Sequence, residues 1–263
     1  ATPTIADGSA HFDVKLYTGN GSTNTITGLE FSPDFTWIKK RNATSSYSMH
    51  DTVRGATKRV RSESSDAETN EPTALTAFTS DGFTLGSGGT ANANNDTFVS
   101  WNWNAGSSTV SNTDGSITSN VRASQTAGIS IVSWTGTGAS ATVGHGLNAQ
   151  PGLVLVKNRT SASSWAVWHT SLTGSQFLGL NTSNTVQSSA NYWNSTVPTA
   201  SVFSVGSDSS ANGSSNDMVA YCFTSVEGYS KIGEYIGNGS ADGTFVPLSF
   251  RPRFILYKAH SQS

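Results

Sequence analysis

Charge is scarce in this chain of 263 residues: Asp, Glu, Lys and Arg together make up only 12% of it. With a net charge of −2 and a pI near 6.2, it has no cationic footprint for nucleic acid or an anionic membrane surface. Cysteine occurs once, at Cys222, so an internal disulfide framework is excluded. Cys222 lies in the strand-like run Val219-Ala220-Tyr221-Cys222-Phe223, where a small buried hydrophobe is expected rather than a nucleophile. No apolar run approaches the roughly 20 residues of a membrane-spanning helix, and no signal peptide is visible. The numbering opens at Ala1 without an initiator Met, which leaves room for a preceding piece. Leu is sparse for a helical protein, whereas Gly, Ser, Thr and Asn are abundant. That balance suits short strands, tight turns and neutral, hydroxyl-rich surfaces.

What is present is a repeat. Leu16-Tyr17-Thr18-Gly19-Asn20-Gly21-Ser22 and Pro33-Asp34-Phe35-Thr36-Trp37-Ile38-Lys39 return as Trp134-Thr135-Gly136-Thr137-Gly138 with Pro151-Gly152-Leu153-Val154-Leu155-Val156-Lys157. They return again as Tyr235-Ile236-Gly237-Asn238-Gly239 with Pro252-Arg253-Phe254-Ile255-Leu256-Tyr257-Lys258. An aromatic residue precedes the proline by 16, 17 and 17 positions, and a lysine follows it by six each time. Further matches at an offset of 120 link Phe83-Thr84-Leu85-Gly86 to Phe203-Ser204-Val205-Gly206, and Phe98-Val99-Ser100-Trp101-Asn102-Trp103 to Met218-Val219-Ala220-Tyr221-Cys222-Phe223. One structural unit is therefore reused.

Within a copy, period-two alternation marks half-buried strands, and Gly, Asn and Asp mark the turns between them. The pattern predicts an all-β fold of tandem antiparallel β-sandwich domains, jelly-roll or concanavalin-like. The divisions are a leader at 1–11, a first unit at 12–106, a Ser/Thr/Asn/Gly-rich linker at 107–128 and a second unit at 129–228. Ile117 and Val121 leave open a short edge hairpin inside that linker. Residues 229–263 begin a third unit or complete a sheet elsewhere, because two strands alone are marginal in water. Gly19-Asn20-Gly21 is expected to be a hairpin turn, and residues 61–74 a solvated acidic excursion without an apolar face.

Candidate sites are few. Trp37, Trp101, Trp103 and Trp134 alternate within strands and belong to the core. Tyr192, Trp193 and Asn194 sit in a polar loop without alternation, and are the candidate ligand contacts. His50 and Asp51 are adjacent on a strand and point to opposite faces, which argues against shared acid–base work. Lys39, Lys157 and Lys258 read as strand-end charges that discourage edge pairing, or as inter-subunit ion pairs. Asn92, Asn94, Asn95 and Asp96, with Asp208, Asn212, Asn216 and Asp217, offer hard oxygen atoms of the kind calcium takes, but such loops are ordinarily turns. No metal or other cofactor is assigned, no catalytic residue is identified, and no carboxylate pair sits in aromatic surroundings.

Taken in order, Leu16 to Ser22, Pro33 to Arg41, His50 to Gly55, Thr79 to Gly86 and Val99 to Trp103 resemble the repeat domain of tail-fibre and other virion proteins of tailed bacteriophages, marine ones especially. The resemblance implies a non-enzymatic virion structural protein on the particle surface, in tail or capsid, serving adhesion or decoration. Its implied partners are other virion proteins, further copies of itself, a trimer among the options, and a host surface glycan. Neither nucleic acid nor membrane insertion is implied. The alternatives are a carbohydrate-binding module of a larger enzyme and a glycan depolymerase.

Overall fold

The computed structural model describes residues 3–261. The chain is all-β, and every strand ladder is antiparallel. In the first copy the elements are β1 (Phe12–Thr18), β2 (Asn24–Ile26), β3 (Phe35–Lys40), β4 (Ser48–Asp51), β5 (Lys58–Arg59), β6 (Thr69–Asn70), β7 (Leu75–Thr79), β8 (Gly82–Leu85), the helical turn α1 (Gly89–Asn92) and β9 (Thr97–Trp103). Two strands follow, β10 (Val110–Asn112) and β11 (Ser119–Ser124). The second copy has β12 (Ile129–Thr135), β13 (Ala141–Gly144), β14 (Leu153–Asn158), β15 (Ala166–His169), β16 (Gln176–Phe177), β17 (Gln187–Ser188), α2 (Ala190–Trp193), β18 (Val202–Val205), α3 (Ser209–Asn212) and β19 (Asp217–Phe223).

The larger sheets run in the same order, β1-β9-β3-β4 and β12-β19-β14-β15. The second is extended to six strands by β11 and β10 on the outer edge of β12. The segment expected as a linker is thus part of a sheet. Against one face of the first sheet lies β2-β8-β7, and Ile38 and Phe98 pack there with Leu75, Phe83 and Leu85 in a small separate core. Period-two alternation sends Phe35, Trp37 and Trp103 to the opposite face, where they join Ile129, Ile131, Leu155 and Tyr221 of the second copy in one continuous core. Phe35 stacks on Tyr221 at a centroid distance of 4.4 Å.

The Gly-x-Gly motif has a different cause from the one expected. β1 pairs with β9, not β2, so Gly19-Asn20-Gly21 joins two sheets and is not a hairpin turn. It is pressed against the loop that follows α1: a Cβ on Gly19 would lie 2.2 Å from the carbonyl oxygen of Ala93. Fully buried Asn92 secures the turn, its Nδ2 donating to Asn20 Oδ1, Ser22 O and Gly86 O, while its Oδ1 accepts from Asn20 N. Asn212 repeats the latch on Thr137, Ala139 and Gly206. These two amides, among the oxygen donors considered for calcium, are therefore committed to the backbone.

Residues 231–261 contain no strand, although they carry the repeat's sequence. Among the described residues, seven of the ten large apolar side chains that stand exposed belong to them: Tyr235, Ile236, Phe245, Val246, Ile255, Leu256 and Tyr257. Phe254, like Ile232, Leu248 and Phe250, is half-buried, and it packs against Phe12, Trp37, Trp101 and Trp103.

Candidate functional site

The seam between the two copies is built from the end of β4. Because that strand alternates, Ser48 and His50 face the interior of the first copy, while Met49 and Asp51 face the second. Asp51 Oδ1 accepts from Arg54 N at 2.8 Å, and Oδ2 meets Arg54 Nε at 2.5 Å; both side chains are fully buried. The Tyr221 hydroxyl donates to Asp51 Oδ2 at 2.7 Å and accepts from Arg54 Nη2 at 3.0 Å. Arg54 Nη1 donates to Glu68 Oε2 at 2.9 Å, and Arg159 grips both oxygens of Glu68 at 2.8 and 2.9 Å. Two acids and two arginines make the set formally neutral. Burial works to raise the Glu68 carboxyl, but hydrogen bonds from Arg159 and the charges of Arg54 and Arg159 outweigh it and hold it below its ordinary value. Burial opposes the charge on Arg54, yet Asp51, Tyr221 and Glu68 hold it protonated.

Residues 61–74 are therefore not a solvated excursion. Glu68 and Glu71 answer arginines 12 or more residues away, a relation that local patterning cannot display, while Glu63 and Asp66 remain exposed. Glu68 bridges the copies, Glu71 takes Arg59 at 2.7 Å, and Ser65 O accepts from Ser163 N. Trp165 Nε1 also donates across the seam, to Arg61 O at 2.8 Å.

The recurring lysines are not solvent-facing strand-end charges. Lys157 is fully buried, and its Nζ donates to Ser163 O at 2.7 Å and Ser65 O at 3.1 Å. Burial pushes its ammonium down to about 8, against a weaker opposing pull from Asp66. Lys39 repeats the local half of this arrangement on Ser45 O at 2.8 Å, with its ammonium 5.2 Å from the Tyr47 ring centroid. Lys258 donates to Thr182 O.

His50 is fully buried and bonded at both ring nitrogens, to Ser48 Oγ and Ala56 O. Burial, with Arg54 nearby, pushes it down to about 4, so it is neutral at physiological pH. Cys222 is buried as well, its thiol pushed up to about 12. Neither group is placed for proton transfer or attack.

An open groove of about 250 Å³ lies at one end of the seam, walled by Trp37, Tyr47, Trp101 and Phe254 and floored in part by Ser62 and Glu63. Trp37 meets Trp101 and Tyr47 edge to face at 6.5 and 6.0 Å. The Glu63 carboxylate accepts from Tyr47 N, and the indole N–H of Trp37 has no acceptor among the described residues. Trp37, Trp103 and Trp134 are buried as expected, but Trp101 is only half-buried and faces this groove. Aromatic faces beside a carboxylate can hold the CH face and hydroxyls of a sugar ring.

The loop candidates are placed differently. Ser189 caps α2 by accepting from Asn191 N, and the helical turn carries Trp193 inward, leaving it 2% exposed. Its ring is core, not a surface contact. Tyr192 stacks on Phe177 at 3.6 Å, and exposed Asn194 adopts a left-handed conformation while its Oδ1 accepts from Ser140 Oγ. None of the three lines the groove. Trp101 is the residue that the loop candidates displaced: it lies within β9, between Val14 of β1 and Trp37 of β3, on the strand face that meets the second copy.

Among the described residues, no cluster of three or more His, Cys, Asp and Glu could hold a metal, and no helix is long and apolar enough to cross a membrane. A family model described as "Domain of unknown function (DUF7483)" matches residues 7–263. No curated protein and no solved structure matches the chain.

Proposed function

The chain belongs to this domain family of unknown function, and from the resemblance of its repeat motifs to those of tailed-phage virion proteins, together with its all-β build, we propose that it is a non-enzymatic virion structural protein of tailed-phage type, built of tandem jelly-roll-like β-sandwich units. Each unit is the larger sheet, β1-β9-β3-β4 or β12-β19-β14-β15, faced by its smaller companion. The observation that carries the reading is the seam. Its charged groups, Asp51, Arg54, Glu68 and Arg159, pair with one another inside the protein and tie the two copies together. Such a body suits a particle component assembled with other virion proteins and further copies of itself.

Adhesion to a host surface glycan falls to the Trp37–Trp101 groove, with Glu63 and Ser62 as hydroxyl partners, rather than to Tyr192 and Trp193. That groove also favours a second reading, a carbohydrate-binding module within a longer polypeptide. Immunogold labelling of phage particles separates the two: label on tail or capsid supports the virion reading, and its absence refutes it. A glycan array of the protein and its Trp101→Ala variant tests adhesion. Sugar binding that persists unchanged in the variant would remove the groove from the proposal, and oligosaccharide release from host envelope would overturn the non-enzymatic assignment.

A further inference from the structure

Arg54, Arg59 and Arg159 direct their guanidinium donors to Asp51, Glu71 and Glu68. Arg122, on β11, is held differently. Its Nε lies 2.6 Å from Asp34 Oδ1. The contact is an ion pair without a formed hydrogen bond, because the buried Nε–H is not directed at that oxygen and meets no other acceptor among the described residues. Nη1 and Nη2 donate to none of those residues either. Asp34 is engaged elsewhere: it is 1% exposed and accepts from Ala105 N at 2.8 Å and from Thr52 Oγ1 at 3.2 Å. A guanidinium carries five N–H groups in a fork that suits paired oxygens, so Arg122 is an anchored cation whose donors are unanswered.

The repeat does not call for this pair. Asp34 N donates to Trp103 O and Thr52 N to Asp34 O, and in the second copy Gly152 N donates to Phe223 O and Thr170 N to Gly152 O. The same backbone is thus made with a glycine and no side chain. Gly106 has φ 109°, and a Cβ there would lie 2.4 Å from Ala123 O, so the chain leaving β9 runs directly against β11. An open pocket of about 470 Å³ lies at this junction, lined by Glu30, Phe31, Ser32, Asn104, Ser107 and Arg122. That volume falls within the range of small-molecule sites. None of these residues lines the Trp37–Trp101 groove.

The lining selects by chemistry. Phe31 supplies an apolar wall. Glu30 Oε2 accepts from Ser9 Oγ, and Asn104 Oδ1 accepts from Gly106 N, which leaves Glu30 Oε1 and Asn104 Nδ2 open among the described residues. Two carboxylates, Asp34 and Glu30, against one arginine make the site net acidic and oppose a doubly charged phosphate or sulfate. A carboxylate fits the fork with a single charge, and hydroxyl groups beside it answer Glu30 and the two serines. We propose that this pocket binds a sugar carrying a carboxylate, a uronic or sialic acid of an acidic glycan, with the carboxylate on Arg122 Nη1 and Nη2 and ring hydroxyls on Glu30, Ser32 and Ser107. The site is separate from the aromatic groove and stands whether or not that groove takes a sugar.

Calorimetric titration of the whole protein with sodium glucuronate is the test, with galacturonate and N-acetylneuraminate as further acids and with glucose, alanine and inorganic phosphate as controls. At least one of the three acids should bind about tenfold or more tightly than every control. Arg122→Lys keeps a charge beside Asp34 but loses the fork, and should weaken that binding by about tenfold while the urea midpoint is unchanged. Trp101→Ala should leave it as it is, and Glu30→Gln should narrow the gap between the acid and phosphate. No binding of any of the three acids at about 50 mM overturns the proposal. So does binding by Arg122→Lys equal to the wild type, or equal binding of glucose, alanine or phosphate. Loss of binding in Trp101→Ala overturns it too, since the acid would then sit in the groove.

Discussion

Replacing Glu68 by Gln tests the seam with little change of shape. The carboxylate accepts three bonds from two guanidinium groups, and its side chain is 10% exposed. Gln retains one acceptor oxygen but turns an N–H donor toward an arginine donor, leaving Arg54 short of a partner in a fully buried place. Removing one partner of a buried ion pair costs about 3–5 kcal/mol, and the retained oxygen keeps the loss near the lower end, about 3 kcal/mol. For a chain of this size that lowers Tm by about 6–12 °C. Unfolding should remain a single transition, because both copies share one core. The pH dependence supplies a sharper check. Glu68 is held below its ordinary value of 4.5 in the fold, so the unfolded chain binds more protons there and stability rises with pH through that range. The carboxylate's contribution is therefore complete above pH 4.5 and disappears as pH falls through the depressed folded value. Urea denaturation of both proteins from pH 7 down to pH 3 should show the difference shrinking in acid. A difference below about 1 kcal/mol at pH 7, or one that stays constant into acid, would refute the argument.

Other substitutions probe separate links. Asn92→Ala and Asn212→Ala each strand buried turn amides and carbonyls, and should cost about 2–4 kcal/mol in urea denaturation, with exchange accelerating first in the corresponding Gly-x-Gly turn. Gly19→Ala forces a side chain into Ala93 O and should destabilise strongly, whereas Gly237→Ala should leave Tm within about 1 °C. Lys157 is depressed to about 8, so the unfolded chain binds its proton more tightly and this residue makes stability rise between that pH and its ordinary 10.5; Lys157→Met should remove that rise from a denaturation series. Truncation after Gly228 removes Phe254 from Trp37, Trp101 and Trp103, and should shift tryptophan emission to the red.

The legible features were those set by local pattern. Alternation located β1, β3, β9, β12, β14 and β19, and an offset of 120 matched β8 with β18 and β9 with β19. Where sequence spacing was taken for spatial equivalence it slipped by one. By spacing from Pro33 and Pro151, His169 is the counterpart of His50, but Thr36 pairs with His50 while Val154 pairs with Trp168, so Trp168 stands in the place of His50 and His169 in that of Asp51. One residue reverses the face on which a strand side chain lies. In this register the second copy has His169 and Leu172 at the positions of Asp51 and Arg54, and so no counterpart of that pair. The groove was hidden for a related reason. Trp101 alternates like a core residue, yet it is half-buried and lines the groove with Trp37 and Phe254.

The placement of charge follows from the same repetition. Two faces of the same strand order pressed together through alternating apolar residues can slide or rotate with small changes in buried area, so apolar packing alone defines their register weakly. Asp51, Arg54, Glu68 and Arg159 are directional and fit only one alignment. A buried ion pair is weak evidence for stability, since apolar residues of similar volume often pack as well or better. Its value at this seam is uniqueness. Replacing Asp51, Arg54 and Glu68 together by Leu, Met and Gln should therefore keep stability within about 2 kcal/mol of the wild type. Exchange broadening should nevertheless appear in the amide resonances of β4 and β19, which face each other across the seam. Sharp, single resonances from that triple variant would show that the hydrophobic faces alone determine how the copies sit.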